Sequence, residues 1–230
     1  MVNKYYFFIL LFFLVFLVGL VCYFYLKLIQ TEGFESTLKY TFIHIPKNSG
    51  TSIYRVLNNY KNNFDLTSNK YHNLVATKYN NPILCIRDPI SRFKSIYKYW
   101  KKNVNFINVS TTLKDFIAYM KQNSLYLIIP EILSEYHYFS QSKYIDKETY
   151  PYTRVIIYSS DRDIMNSKVN SLLNDLNIKN NIELPYENST DNEDIQLDMD
   201  DMNFIYQEYK DDFELWENVN TNPSLFLKVY

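Results

Sequence analysis

Two short polar clusters stand where apolar runs give way to helical patterns, and both have the make-up of anion holders. The first is Lys47-Asn48-Ser49-Gly50-Thr51-Ser52, which follows the apolar run Tyr40-Thr41-Phe42-Ile43-His44-Ile45 after a break at Pro46. Gly50 is expected to let the backbone turn tightly, with successive N–H groups pointing into the turn. Lys47 and the Thr51 and Ser52 hydroxyls complete a cradle at the positive end of a helix, where phosphate or sulfate is the natural guest. The second cluster is Arg87-Asp88-Pro89-Ile90-Ser91-Arg92-Phe93-Lys94-Ser95. Arg87 offers two parallel donors and Ser95, two turns into a helix, a hydroxyl, so the pair can converge on one anion. Of the three histidines, His72 between the two clusters could take a proton near neutrality, with His137, or Glu131 or Glu135 as a carboxylate base, as alternatives, whereas His44 inside the first strand is expected to pack or orient the loop. The plainer alternatives are a polar turn that caps a helix and, for Arg87, a salt bridge at a helix entry.

The elements that must hold these clusters follow from periodicity. Tyr40 to Ile45 reads as a strand, and a helix pattern resumes at Ser52 and runs to about Tyr60. The polar run Lys61 to Lys70 reads as a loop and Tyr71 to Val75 as a short strand end. Pro82-Ile83-Leu84-Cys85-Ile86-Arg87 is a continuous apolar run closed by a charge, the pattern of a central parallel strand covered on both faces. Pro89 suits the first turn of the next helix, with Asp88 as its cap. Helices are predicted over Thr111 to Gln122, Ser124 to Tyr138, Asp161 to Ile178 and Met202 to Asn218, and a buried strand over Arg154 to Tyr158. Strands alternating with helices predict an α/β domain with a central parallel sheet and a ligand at the strands' carboxyl ends. Asp191 to Asp201 carries six acidic and no basic residues; the spacing fits no EF-hand loop, so a solvated helix entry is expected.

Composition narrows the classes. A chain of 230 residues that is 47% hydrophobic is not a disordered one and has room for one ordinary domain. Its net charge of −1 gives no basic field of the kind that nucleic acid attracts. Cys22 and Cys85 lie in an apolar run and a buried strand, which argues against an intradomain disulfide and against a metal cluster. Residues 5–26 are uncharged and flanked by Lys4 and Lys27; as a helix they would span roughly 30 Å, the hydrocarbon thickness of a bilayer. The expected organisation is a short tail at 1–4, an uncleaved transmembrane signal anchor at 5–26, a connector at 27–39 and one domain at 40–230. Lys4 favours a cytoplasmic amino terminus. Asn108-Val109-Ser110 and Asn188-Ser189-Thr190 are glycosylation sequons.

The order His-x-Pro-Lys-x-x-Gly-Thr-Ser at His44 to Ser52 resembles the 5′-phosphosulfate loop of sulfotransferases that use 3′-phosphoadenosine 5′-phosphosulfate (PAPS). Arg87-Asp88-Pro89-x-x-Arg92-x-x-Ser95-x-Tyr97 resembles the 3′-phosphate motif of the same family. The segments Glu135 to Ile145, Leu184 to Ser189 and Tyr209 to Leu215 are similar to parts of its Golgi-type carbohydrate branch. The resemblance implies a P-loop-like three-layer α/β domain in which Lys47, Asn48, Ser49, Gly50, Thr51, Ser52, Arg87 and Ser95 hold PAPS, without a metal. It further implies His72 as a catalytic residue beside Lys47, a glycan or glycoprotein acceptor, for which the residues offer His137 and Trp100, and a single-pass type II protein with its catalytic part in the Golgi lumen. Lys94 to Lys102, with Trp100 as a stacking platform, could hold an anionic sugar, although snorkelling lysines on a helix face explain the same stretch. Two alternatives stay open: a membrane-tethered P-loop nucleotide phosphotransferase, against which the position of Lys47 ahead of Gly50 speaks, and an inactive relative that binds glycan.

Overall fold

The apolar strand residues alternate between two covered faces, and this alternation builds the core. The computed structural model describes residues 18, 20, 39–66, 81–103, 112–122, 139–178, 181–185 and 195–230. The chain divides into two units, Met1–Leu38 and Lys39–Tyr230. In the second, β1 (Tyr40–Ile43), β2 (Phe64–Asp65), β3 (Pro82–Ile86), β4 (Arg154–Ile157) and β5 (Lys228–Val229) form one sheet in the order β2-β1-β3-β4-β5. Every pairing is parallel, with Phe42 opposite Ile83 and Leu84 opposite Val155. The domain is therefore α/β, as the strand and helix patterns predict.

Phe42, Ile83, Cys85 and Ile156 face α1 (Gly50–Asn58) and α4 (Arg162–Asp175), meeting Ile53, Leu57, Val169 and Leu173. Each such buried aliphatic contributes about 1.5–3 kcal/mol of transfer free energy. Ile43, Leu84, Ile86 and Val155 face the other way, onto Tyr144, Tyr150, Leu215 and Val219. These come from the 3₁₀ segments Gln141–Tyr144 and Lys147–Tyr152 and from a late helix. A third cluster joins α2 (Pro89–Asn103) and α3 (Leu113–Gln122) to α5 (Met199–Glu208), with Phe93 against Phe116 and Tyr209.

Several expectations are met and three are corrected. α2 begins at Pro89, and Asp88 Oδ1 accepts from the Ser91 N–H at 2.7 Å, the cap foreseen for it. Asp161 caps α4 through the Ile164 N–H, and Asp198 with Asp201 forms a reciprocal capping box on α5, a helix entry within the acidic run. The run 61–70, read as a loop, contains β2, because Phe64 is buried beside Tyr40 and draws the backbone onto the edge of β1. The single helix predicted over 202–218 is two, α5 and α6 (Lys210–Thr221), divided at Tyr209 (φ −111°, ψ 30°). Tyr209 buries its ring against Phe93 while its carbonyl accepts from Asp212 and Phe213, so it starts a new helix. β5 is a third departure, with only two residues and no alternation to betray it.

Among the described residues no helix is long and apolar enough to cross a membrane; of the predicted span 5–26 only Val18 and Leu20 belong to them. The strand end at 71–75, the helix at 124–138 and both sequons lie outside the described residues.

Candidate anion-binding site

β1 has β2 on one side and β3 on the other, so the strand order reverses at β1, and the carboxyl ends of β1 and β3 lie at a topological switch point. Ligands of open parallel sheets bind at such a switch point. Both polar clusters lie there, one after β1 and the other after β3.

The loop after β1 turns through Lys47 (φ 70°) and Ser49 (φ 58°), both left-handed, before α1 starts at Gly50. Non-glycine residues seldom adopt this conformation, and two in one four-residue turn mark a backbone shaped for something other than a smooth helix entry. Ser49 stands at the N-cap without using its hydroxyl on the helix, and Ile53 N–H is the first to bond back, to Ser49 O at 3.1 Å. Among the described residues the N–H groups of Gly50, Thr51 and Ser52 have no hydrogen-bond partner, so they open α1 as donors. The Thr51 and Ser52 side chains are half-buried beside them.

Gly50 has a role other than the one foreseen. Its φ is not positive; a Cβ there would stand 1.8 Å from His44 Cδ2 and 2.2 Å from Nε2. Glycine is required because the His44 ring, stacked on Phe42 at 6.4 Å, lies across the start of the helix. His44 accordingly packs and orients the loop.

Arg87 leaves the end of β3 and reaches the loop. Its Nη1 donates to Lys47 O at 3.0 Å and its Nε to Ser91 Oγ at 3.0 Å, while the guanidinium lies 4.2 Å over the Tyr158 ring. The sequence motif does not single out Ser91, although it sits four residues from Arg87 and on the same helix face as Ser95. Ser95 itself is 7% exposed, one turn further along α2, and makes no bond to Arg87. The hydroxyl that meets Arg87 is thus that of Ser91, which in turn donates to Asp88 O at 3.1 Å, and not that of Ser95.

Lys47 holds its Nζ 4.4 Å from the Tyr99 ring centroid. Burial, then the nearby charges of Arg87 and Arg92, bring its ammonium down from 10.5 to about 8. Burial likewise lowers Arg87. Among the described residues neither Lys47 nor Arg87 forms an ion pair; each rests on a tyrosine face. Lys47 and Arg87, crowded together, partly desolvated and without a carboxylate partner among the described residues, make a place where an anion relieves repulsion.

Asn48 turns the other way. Fully buried, it donates through Nδ2 to Cys85 O at 2.7 Å and to Gln141 Oε1 at 2.8 Å, so its side chain ties the loop to β3 instead of facing a ligand. Beneath it lies a polar network. Arg92, 1% exposed, donates through Nε to Pro46 O at 3.3 Å and approaches Asp212 at 3.7 Å. Asp212 accepts from the N–H groups of Gln141 and Ser142, both at 2.9 Å, and burial pushes its carboxyl up. A sequence signal existed for both charged members: Asp212 interrupts the apolar stripe Ile205, Tyr209, Leu215 and Val219, and Arg92 adjoins Phe93 and Ile96 on the core side of α2.

Among the described residues no group of His, Cys, Asp and Glu could hold a metal ion. Burial pushes the Cys85 thiol up to about 12, which leaves it unreactive. His72 and His137 lie outside the described residues, as does the Trp100 side chain, although Trp100 belongs to α2. No protein-family model, curated protein or solved structure matches this chain.

Proposed function

We propose that the chain is a PAPS-dependent sulfotransferase of P-loop-like fold that moves a sulfuryl group onto a glycan hydroxyl and releases 3′-phosphoadenosine 5′-phosphate (PAP). The observation that carries this reading is the junction of Lys47 and Arg87. They stand at the ends of adjacent parallel strands, are joined by a 3.0 Å hydrogen bond, and have no carboxylate partner among the described residues. A ligand with anionic groups at two positions would answer both, and the order of the two motifs along the chain is that of the family they resemble.

In this reading the N–H groups that open α1, with the Thr51 and Ser52 hydroxyls, hold the 5′-phosphosulfate. Arg87 with Ser91 and Ser95 holds the 3′-phosphate. The acceptor oxygen attacks sulfur in line with the bridging oxygen; a new S–O bond forms, the old one breaks, and the electron pair departs on the 5′-phosphate of PAP. Lys47 stabilises that departing charge. The acceptor's proton goes to a base, for which His72 is the first choice and His137 the second. Residues 5–26 would anchor the chain so that the domain faces the Golgi lumen, where glycan acceptors are found.

The test is transfer itself. The full-length chain, given radiolabelled PAPS and a mixture of glycoprotein glycans, should label glycan, and Lys47→Ala should slow labelling by about 10²–10³-fold, the usual cost of losing one donor to a developing anion. Transfer of the ATP γ-phosphate instead, with PAPS untouched, would overturn the reading.

A further inference from the structure

Gln141 meets both anion-binding elements at once from a part of the chain distant from either. Its Oε1 accepts from Asn48 Nδ2, 93 residues away, at 2.8 Å, and from the Arg87 N–H, 54 residues away, at 3.2 Å. Its Nε2 donates to Arg87 O at 2.6 Å. The side-chain amide therefore captures both backbone groups of Arg87, as a neighbouring strand would, and the side chain of the loop as well. It is 0% exposed, so it has no water with which to exchange these partners.

Gln141 is in turn held from behind. Asp212 accepts from its backbone N–H at 2.9 Å, stands 3.7 Å from Arg92, and Arg92 Nε donates to Pro46 O at 3.3 Å. The path begins at Asn48 and returns to Pro46, the two neighbours of Lys47, so both flanks of that left-handed residue are fixed by one circuit. Asn48 and Arg87 each have other contacts, but Gln141 is the side chain that joins them.

We infer that Gln141 is the positioning residue of the anion site, setting the Lys47 loop and Arg87 at the separation that a ligand with two phosphates requires. The inference rests on the sulfotransferase reading of the site. Only an amide meets these partners: methionine of similar length would leave the Asn48 amide and the Arg87 N–H and C=O without this contact, and a glutamate would set an oxygen against Arg87 O.

The test uses the full-length chain with Gln141→Met, Asn48→Ala, the double variant, and Val219→Ala as a control for core damage in α6. PAP affinity is measured by calorimetry and the Lys47 titration by NMR of isotopically labelled lysine. Gln141→Met should weaken PAP by about tenfold or more and move the Lys47 midpoint up from about 8 as the loop loosens and Nζ regains water. Asn48→Ala should move Lys47 the same way, and the two effects should sum to less than additive in the double variant, since the side chains share one link while Asn48 has a second to Cys85 O and Gln141 two to Arg87. Val219→Ala should lower thermal stability and leave both readings in place. Gln141→Met with PAP affinity within about twofold of the parent and Lys47 unmoved would overturn the inference, as would equal movement in Val219→Ala. Should Gln141→Met not fold, Asn48→Ala decides, because it severs the same link from the loop side. If the parent chain ignores PAP, the sulfotransferase reading falls, while the Lys47 titration still tests the role of Gln141.

Discussion

Replacing Gly50 by alanine should injure the anion loop through a single collision. A Cβ at this position would lie 1.8 Å from His44 Cδ2, 2.2 Å from Nε2 and 2.8 Å from Cγ, whereas carbon atoms rest comfortably at about 3.5–4.0 Å. The ring must withdraw by roughly 2 Å, which a packed site does not grant by small adjustments. Overpacking of this sort costs about 1–3 kcal/mol, and the ring also gives up its stacking on Phe42, worth about 0.5–1.5 kcal/mol. Against this, alanine is favoured over glycine in a helix by up to about 1 kcal/mol, and Gly50 has no positive φ to be lost. The net destabilisation is about 0.5–4.5 kcal/mol, each kcal/mol lowering Tm by about 2–4 °C for a domain of this size. Thermal unfolding followed by circular dichroism reads it. The cause is isolated by His44→Ala, which empties the space, so that adding Gly50→Ala to that background should be neutral or slightly stabilising. A Gly50→Ala variant as stable as the parent, or a double variant in which the two losses simply add, would refute the reasoning.

The buried charges carry the remaining predictions. Lys47, brought to about 8 by burial and two arginines, is protonated in the free chain below that pH. A bound anion raises its affinity for the proton, so PAP should bind with proton uptake and weaken as pH rises past about 8, measurable by calorimetry in buffers of different ionisation enthalpy. The folded value lies below the ordinary 10.5, so the cost of holding Lys47 charged is fully present below about pH 8 and is relieved as pH climbs toward 10.5. In Lys47→Ala this rise in stability should vanish from urea midpoints taken across the window. Asp212→Ala would leave Arg92 buried beside an empty place and orphan two N–H groups, which should cost about 3–5 kcal/mol and shift the denaturant midpoint accordingly. Cys85, its thiol pushed up to about 12, should resist thiol reagents at pH 8 until the domain unfolds, as mass spectrometry of the Cys85 peptide would show.

The parts legible in the sequence were those governed by local rules. Continuous apolar runs marked β3 and β4, Pro89 and Asp88 marked the start of α2, and the run of small and hydroxyl residues after β1 marked the turn. Parallel order and the convergence of Lys47 with Arg87 followed from alternation of strand and helix. Local rules end where a contact is made across the chain. Nothing near Asn48 tells that its side chain points inward, because a turn has no periodicity to separate a buried face from an open one. Gln141 acquires its role only when 54 and 93 residues of chain bring Arg87 and Asn48 to it. The two-residue strands β2 and β5 are too short to alternate, and Gly50 serves a ring six residues earlier in place of its own backbone. Arg92 and Asp212 are intermediate cases: charges set among helical apolar positions are visible, but their pairing is not.

The most direct measurement is a calorimetric titration of the full-length chain with PAP and, separately, with ATP and Mg²⁺. The account predicts that PAP binds in preference, and that Arg87→Ala weakens it by about 10–100-fold, the loss of a charge-assisted contact to the 3′-phosphate. A folded chain that ignores PAP, or that prefers ATP with Mg²⁺, would contradict it.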